Sequence, residues 1–211
     1  MLNRQRIINH LVLFFISTLL LLFFYWLIPG DDKMYLSSMA TAYTGIILLA
    51  ITLGMGPYRV WQNLPNPVST HLRRDTGIWC GIVSLLHVVV GIQVHMGNIL
   101  LYFVKAVEGP EQYVWRNDFF GFANYTGLIA TLIMVVLLVI SNDLSLRKLG
   151  TQRWKNLQRW VYPGFLLILI HGISFQLIEK RKLPLVMLCA IILAIGIIFQ
   201  TLGFIMMRKR Q

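Results

Sequence analysis

The chain has 211 residues, of which 57% are hydrophobic and 13% charged, against about 45–50% and about 25% in soluble domains. A water-soluble globule is excluded. The formal net charge of +11 would suggest nucleic acid in a soluble protein, but the charges fall between long apolar runs, where bilayer topology accounts for them. No nucleic-acid partner is expected.

Cutting the chain at charged and Pro/Gly-rich stretches leaves six apolar segments, 7–28, 39–58, 76–94, 119–140, 161–177 and 183–207. Each has a length within the roughly 17–25 residues that cross a bilayer core as helix. Backbone groups in lipid must be satisfied within the segment, and barrel strands are only about 10 residues long, so helices are predicted. The expected fold is all-α: a polytopic membrane protein, a six-transmembrane-helix bundle forming a single domain over residues 1–211. The first run exceeds the apolar region of about 7–15 residues in a signal peptide, and no small-residue cleavage site follows it, so it is expected to stay as an anchor. Cys80 and Cys189 fall at depths roughly 14 Å apart, beyond the Cα reach of about 7 Å for a disulfide, and read as small buried apolar residues.

Six spans put both termini on one side. That side collects 13 Lys and Arg residues against 6 opposite, so the termini are expected in the cytoplasm. The connection between Arg59 and Arg74 carries Pro65 and Pro67 and reads as a semi-rigid loop. On the outside, the stretch 95–118 holds Tyr102, Phe103, Tyr113 and Trp115, expected along the membrane surface as part of an aromatic belt together with the tryptophans at span ends. The sequence contains no Gly-rich dinucleotide fingerprint, so a reductant must come from a partner.

Ionisable groups inside hydrocarbon are functional candidates by default. Of five histidines, His87 in the third segment and His171 in the fifth are deep; His10, His71 and His95 read as interfacial. His87 lies 12 residues after Asp75, and His171 lies 12 after Arg159, which sets both imidazoles about 18 Å from the inner edge of two helices running the same way. Two neutral imidazoles at one depth suit axial ligation of a haem iron from both faces. Small residues Gly81, Ser84, Gly91, Gly172 and Ser174 would let a flat macrocycle approach. The competing reading is hydrogen-bonding glue between helices. Zinc would need a further carboxylate or thiolate, and no such residue lies at that depth. At the inner ends of the same segments, Arg73, Arg74, Arg153, Lys155, Gln158 and Arg159 read either as topology and lipid-headgroup residues or as a patch for propionates, a flavin phosphate or a donor protein.

The stretch Arg73-Arg74-Asp75-Thr76-Gly77-Ile78-Trp79 running to Leu86-His87, and Leu149-Gly150-Thr151-Gln152-Arg153-Trp154 running to Tyr162 and His171, resemble the ferric-reductase-like transmembrane domain superfamily. The likeness extends to its haem-binding subunits of periplasmic methionine sulfoxide reductase systems. The resemblance implies a b-type cytochrome in a bacterial inner membrane, an electron-transfer subunit rather than a complete enzyme. It also implies a cytoplasmic flavin reductase or quinone as donor and a periplasmic molybdenum-cofactor reductase as acceptor. Members with two haems carry two histidine pairs separated by about four helical turns. His87 and His171 match the outer pair, while Arg73 and Gln158 occupy the inner positions. Gln158 departs from the family pattern, so one haem b is expected, and FMN or another flavin beside Arg73, Arg74 and Gln158 is one way to relay electrons across the inner leaflet. A stand-alone ferric or quinone-linked reductase, and a non-redox membrane scaffold, are the alternatives.

Overall fold

The computed structural model describes residues 4–63, 70–95, 98–107, 112–181 and 183–208. The expected loop at Pro65 and Pro67 lies outside them, as does the side chain of Cys189.

Each of the six apolar segments forms a helix, and local capping chemistry moves several ends. Helix α1 is Arg4–Leu27. Helix α2, Lys33–Trp61, begins six residues ahead of its apolar segment because the Asp32 carboxylate accepts from the Met34 and Tyr35 amides, the bonding of an N-cap. Helix α3, His71–Gly91, starts where the Thr70 hydroxyl accepts from the Arg73 amide, so Arg73, Arg74 and Asp75 lie inside it. Its end at Gly91 falls short of the expected residue 94. Helix α4, Phe119–Ile140, keeps both expected ends and is capped by Asp118 on the Gly121 amide at 2.7 Å. Two short helices, α5 (Asp143–Leu149) and α6 (Thr151–Gln158), turn the chain at Gly150, whose φ is +73°. Helices α7 (Val161–Ile178) and α8 (Leu183–Arg208) complete the bundle.

Among the described residues the fold is all-α apart from one small hairpin in the segment between α3 and α4. After a 3-10 turn at Ile99–Tyr102, strands β1 (Val104–Ala106) and β2 (Tyr113–Trp115) pair antiparallel, with Lys105 opposite Val114. Arg116 ties this hairpin to the bundle. It donates to the Leu101 carbonyl at 2.8 Å and to Asp118 at 2.8 Å, and lies over the Phe120 ring. Tyr113 and Trp115 are exposed, as expected of a surface belt, but Tyr102 is buried and donates to the Gly91 carbonyl. Trp154 departs from the belt too: it is buried, and its indole N–H donates to the Ile140 carbonyl at 2.9 Å.

Helix α2 is the hub, packed on α1, α3 and α8, and α4 pairs with α7. Its Met39, Tyr43, Leu48, Leu49 and Leu53 centre the apolar core, and Cys80 is buried there with its thiol toward the Gly45 carbonyl. Large apolar side chains cover the outside instead of polar ones, Phe15, Leu19 and Val139 each being more than 60% exposed. A contiguous apolar exterior of this kind is stable against lipid and not against water. By length and composition, Arg4–Leu27, Lys33–Trp61, Phe119–Ile140 and Thr151–Ile178 are sufficient to cross a membrane, and Ala190–Met206 is a shorter apolar stretch.

Candidate functional site

Helices α3 and α7 face each other across a cavity of about 270 Å³, lined also by α2, α4 and the 3-10 turn. His87 and His171 project into it with ring centroids 6.3 Å apart and planes at 77°. The two depths obtained by counting along separate helices therefore meet in space. His87 Nδ1 lies 3.0 Å from the Ser38 carbonyl on α2, with the Thr41 hydroxyl at 3.4 Å. His171 Nδ1 lies 2.9 Å from the Ala123 carbonyl on α4. A carbonyl can only accept, so each Nδ1 carries the proton and each neutral ring keeps its lone pair on Nε2. Both rings are thus held by one nitrogen and offer the other, the arrangement that orients a metal-ligating histidine. Among the described residues no cluster of three His, Cys, Asp or Glu side chains forms, so the pair has no further ligand of the kind zinc requires.

The small residues divide. Ser84, Gly91 and Gly172 line the cavity, but Gly81 is packed against Leu138 and Ser174 is buried outside the lining. The glycine that seats the site is Gly127 on α4, which composition alone did not single out. A Cβ there would sit 2.6 Å from His171 Nδ1, well inside van der Waals contact.

Beyond the C-terminal end of α3, His95 is exposed, as expected of an interfacial residue, and also reaches the site. It lines the same cavity, stacks on Phe175 at 6.0 Å, and places Nε2 3.1 Å from a Glu179 oxygen. Phe175 in turn touches His171, ring to ring at 5.0 Å.

Arg73, Arg74 and Gln158 are brought together, but at a separate cavity of about 610 Å³ near the N-terminal ends of α3 and α7, with Lys155, Arg159 and Tyr162. Arg74 is committed elsewhere: its guanidinium meets Asp143 at 2.6 Å. That contact is the main reason the Asp143 carboxyl is held below its ordinary range. The Gln158 amide reaches the Ser141 hydroxyl at 3.4 Å.

One feature escaped the reading of charges as boundary markers. Asp75 is fully buried, and one carboxylate oxygen accepts from Arg6 at 2.9 Å while the other accepts from Asn9 at 3.0 Å. His10 approaches within 3.5 Å and accepts from the Trp79 indole at 3.2 Å. The network joins α1 to α3. Only the unusual clustering of Arg6, Asn9 and His10 on one face of an otherwise apolar helix signals it in the sequence.

The ferric reductase like transmembrane component family matches residues 39–169, a span that contains His87 and ends just before His171. A curated relative, the protein-methionine-sulfoxide reductase heme-binding subunit MsrQ of Pectobacterium atrosepticum, is 28% identical over 178 residues, covering 80% of this chain and 78% of the relative. No solved structure matches. The family match covers more than half of the chain, with all of α3 and α4 and parts of α2 and α7, and the chain belongs to the ferric reductase like transmembrane component family.

Proposed function

We propose that this protein is a haem b electron-transfer subunit in which His87 and His171 are the axial ligands. The observation that carries the reading is the spacing of the pair. A metal held by the free Nε2 of both rings, at about 2.0–2.1 Å from each nitrogen, would need ring centres about 6 Å apart. Here they are 6.3 Å apart, with both Nδ1 atoms anchored on backbone carbonyls. The mainly apolar lining, including Ile46, Leu49, Val88 and Met134, gives the pair surroundings of low polarity. A bound haem supplies a one-electron ferric/ferrous couple; the chain's own residues fix the ligand tautomers and insulate the centre.

All six long helices, α1, α2, α3, α4, α7 and α8, cross the membrane in this reading, with both termini cytoplasmic and the whole chain forming one unit. The histidine pair then lies toward the outer face and the basic cavity of Arg73 and Gln158 toward the cytoplasm. Electrons enter from a cytoplasmic flavin reductase or quinone. A flavin such as FMN, with its phosphate near Arg73 and its ring edge near Gln158, bridges the inner leaflet. They leave to a periplasmic methionine sulfoxide reductase that carries a molybdenum cofactor, an acceptor supported by the name of the MsrQ relative, in a bacterial inner membrane.

The test is a reduced-minus-oxidised spectrum of the detergent-purified chain with pyridine quantitation. One low-spin b haem per chain is expected, lost in His87→Ala and in His171→Ala. A colourless wild-type protein, or full haem in both variants, refutes the reading.

A further inference from the structure

We infer that Arg181 and Gln176 form the carboxylate-binding end of the outer cavity and hold a haem propionate there; the inference rests on the haem reading above. Neither residue was singled out by composition, and the expected propionate partners, Arg73 and Arg74, line the other cavity.

Arg181 lies beyond the end of α7 yet lines the cavity between His87 and His171. The backbone turns it back. Lys180 adopts a left-handed φ of 46°, its amide lies 3.3 Å from the Leu177 carbonyl, and the Arg181 amide donates to the Gln176 carbonyl at 3.2 Å. These are the paired bonds of a helix terminus that normally places glycine at the left-handed position. A lysine there is a strained choice of the sort that persists where the surrounding structure needs the geometry.

What the turn delivers is a cation without an anion. Among the described residues Arg181 Nε is buried with no hydrogen-bond partner, and no carboxylate lies within ion-pair distance of its guanidinium. Glu179, two residues before it, is engaged with His95. Arg181 is only partly buried as a residue, but its enclosed Nε has lost water without gaining a partner, and a guanidinium binds carboxylates through two parallel hydrogen bonds. Gln176 lines the same cavity and is 7% exposed, with one amide atom on the Tyr43 hydroxyl at 3.3 Å and Oε1 buried without a partner. Turning the amide over lets the Tyr43 hydroxyl donate to Oε1 and leaves the NH₂ as a second donor for the same anion. Gln176 follows His171 by five residues, about 7.5 Å along the helix axis, so the two unsatisfied groups stand at the rim of a planar ligand centred on the histidine pair.

The test compares detergent-purified wild type with Arg181→Gln, Gln176→Leu and Arg181→Lys. In Arg181→Gln the low-spin bis-imidazole spectrum is retained, the midpoint potential falls because a positive charge beside the iron is removed, and the propionate-bending band in resonance Raman shifts. Haem release to apomyoglobin speeds about tenfold or more, the effect of one lost charge-assisted hydrogen bond. Gln176→Leu shows a smaller effect of the same sign. Arg181→Lys, which keeps the charge and the fold, holds the potential but shifts the Raman band, because the ammonium cannot form the paired contact. Wild-type potential, Raman band and release rate in all three variants, with haem present, overturn the anchor and leave the axial ligands standing. Wild-type protein without haem overturns the parent reading and the anchor with it.

Discussion

His171 lies so close to Gly127 that a methyl group on the glycine would sit 2.6 Å from the ring's Nδ1, the same nitrogen that bonds the Ala123 carbonyl. No rotamer of a methyl group relieves that contact, so Gly127→Ala must displace the imidazole or part α4 from α7. Most of the bound haem is expected to be lost, or its low-spin spectrum to convert to high-spin as the iron loses one ligand. Gly54→Ala is the control: its Cβ meets nothing within 4 Å, and alanine there should leave the spectrum unchanged and raise stability by about 0.5–1 kcal/mol. Absorption spectra of the two purified variants check both outcomes.

The histidine pair was legible because both residues lie inside helices, where counting residues measures depth. Counting fails past a helix end. His95, eight residues beyond His87, lies past the end of α3 at Gly91, where spacing along the chain no longer sets its direction. The chain then turns His95 back onto Phe175. Arg181 was hidden in the same way, behind the left-handed turn at Lys180. Hydropathy found the six long helices of the described residues, because an uninterrupted apolar stretch of that length carries few turn-forming residues, and it misjudged the starts of α2 and α3. Those starts depend on the caps Asp32 and Thr70, whose hydrogen bonds an average over a window cannot register. Asp75 reads as a boundary charge until α1 supplies Arg6 and Asn9, and pairing between helices is invisible to any single-segment pattern.

Asp75 is accordingly expected to matter for stability more than its place among loop charges would suggest. Its side chain is fully buried and Arg6 is 17% exposed, so removing the carboxylate leaves a largely desolvated guanidinium with only its longer contact to Asp143, at 3.8 Å. Asp75→Ala should cost about 3–5 kcal/mol. The double variant with Arg6→Gln should be less damaging than the sum of the singles, because the second change removes the orphaned charge. Thermal unfolding of the four proteins in one detergent measures the coupling; strict additivity would mean that the two groups act independently.

The outer hairpin should respond to acid. Asp118 is lowered to about 2, mainly by the hydrogen bond from Lys105, with the Gly121 amide and Arg116 acting in the same direction against the effect of burial. An acid whose folded value lies below its unfolded value of about 3.9 contributes stability above that value and loses it as the pH falls toward 2. Trp115, one residue before Arg116 on the hairpin strand, should report this as a fluorescence change between about pH 4 and 2. The change should be absent in Asp118→Asn, whose hairpin is already loosened at neutral pH.

Arg73 separates electron entry from haem binding. Its guanidinium lies against Gly56 in the inner cavity, clear of both histidines. Unlike Arg74 it is not among the residues ion-paired with Asp143. In the proposed function it is the cation available to an anionic relay or donor. Arg73→Ala should therefore retain the wild-type haem content and spectrum while reduction of the haem by a cytosolic flavin reductase slows about tenfold, the loss of one charge-assisted contact. Stopped-flow reduction by that donor, beside reduction by dithionite as a route that needs no docking, distinguishes the cases. Equal slowing with both reductants would place the effect at the haem itself, and unchanged rates with both would remove the inner cavity from the electron path.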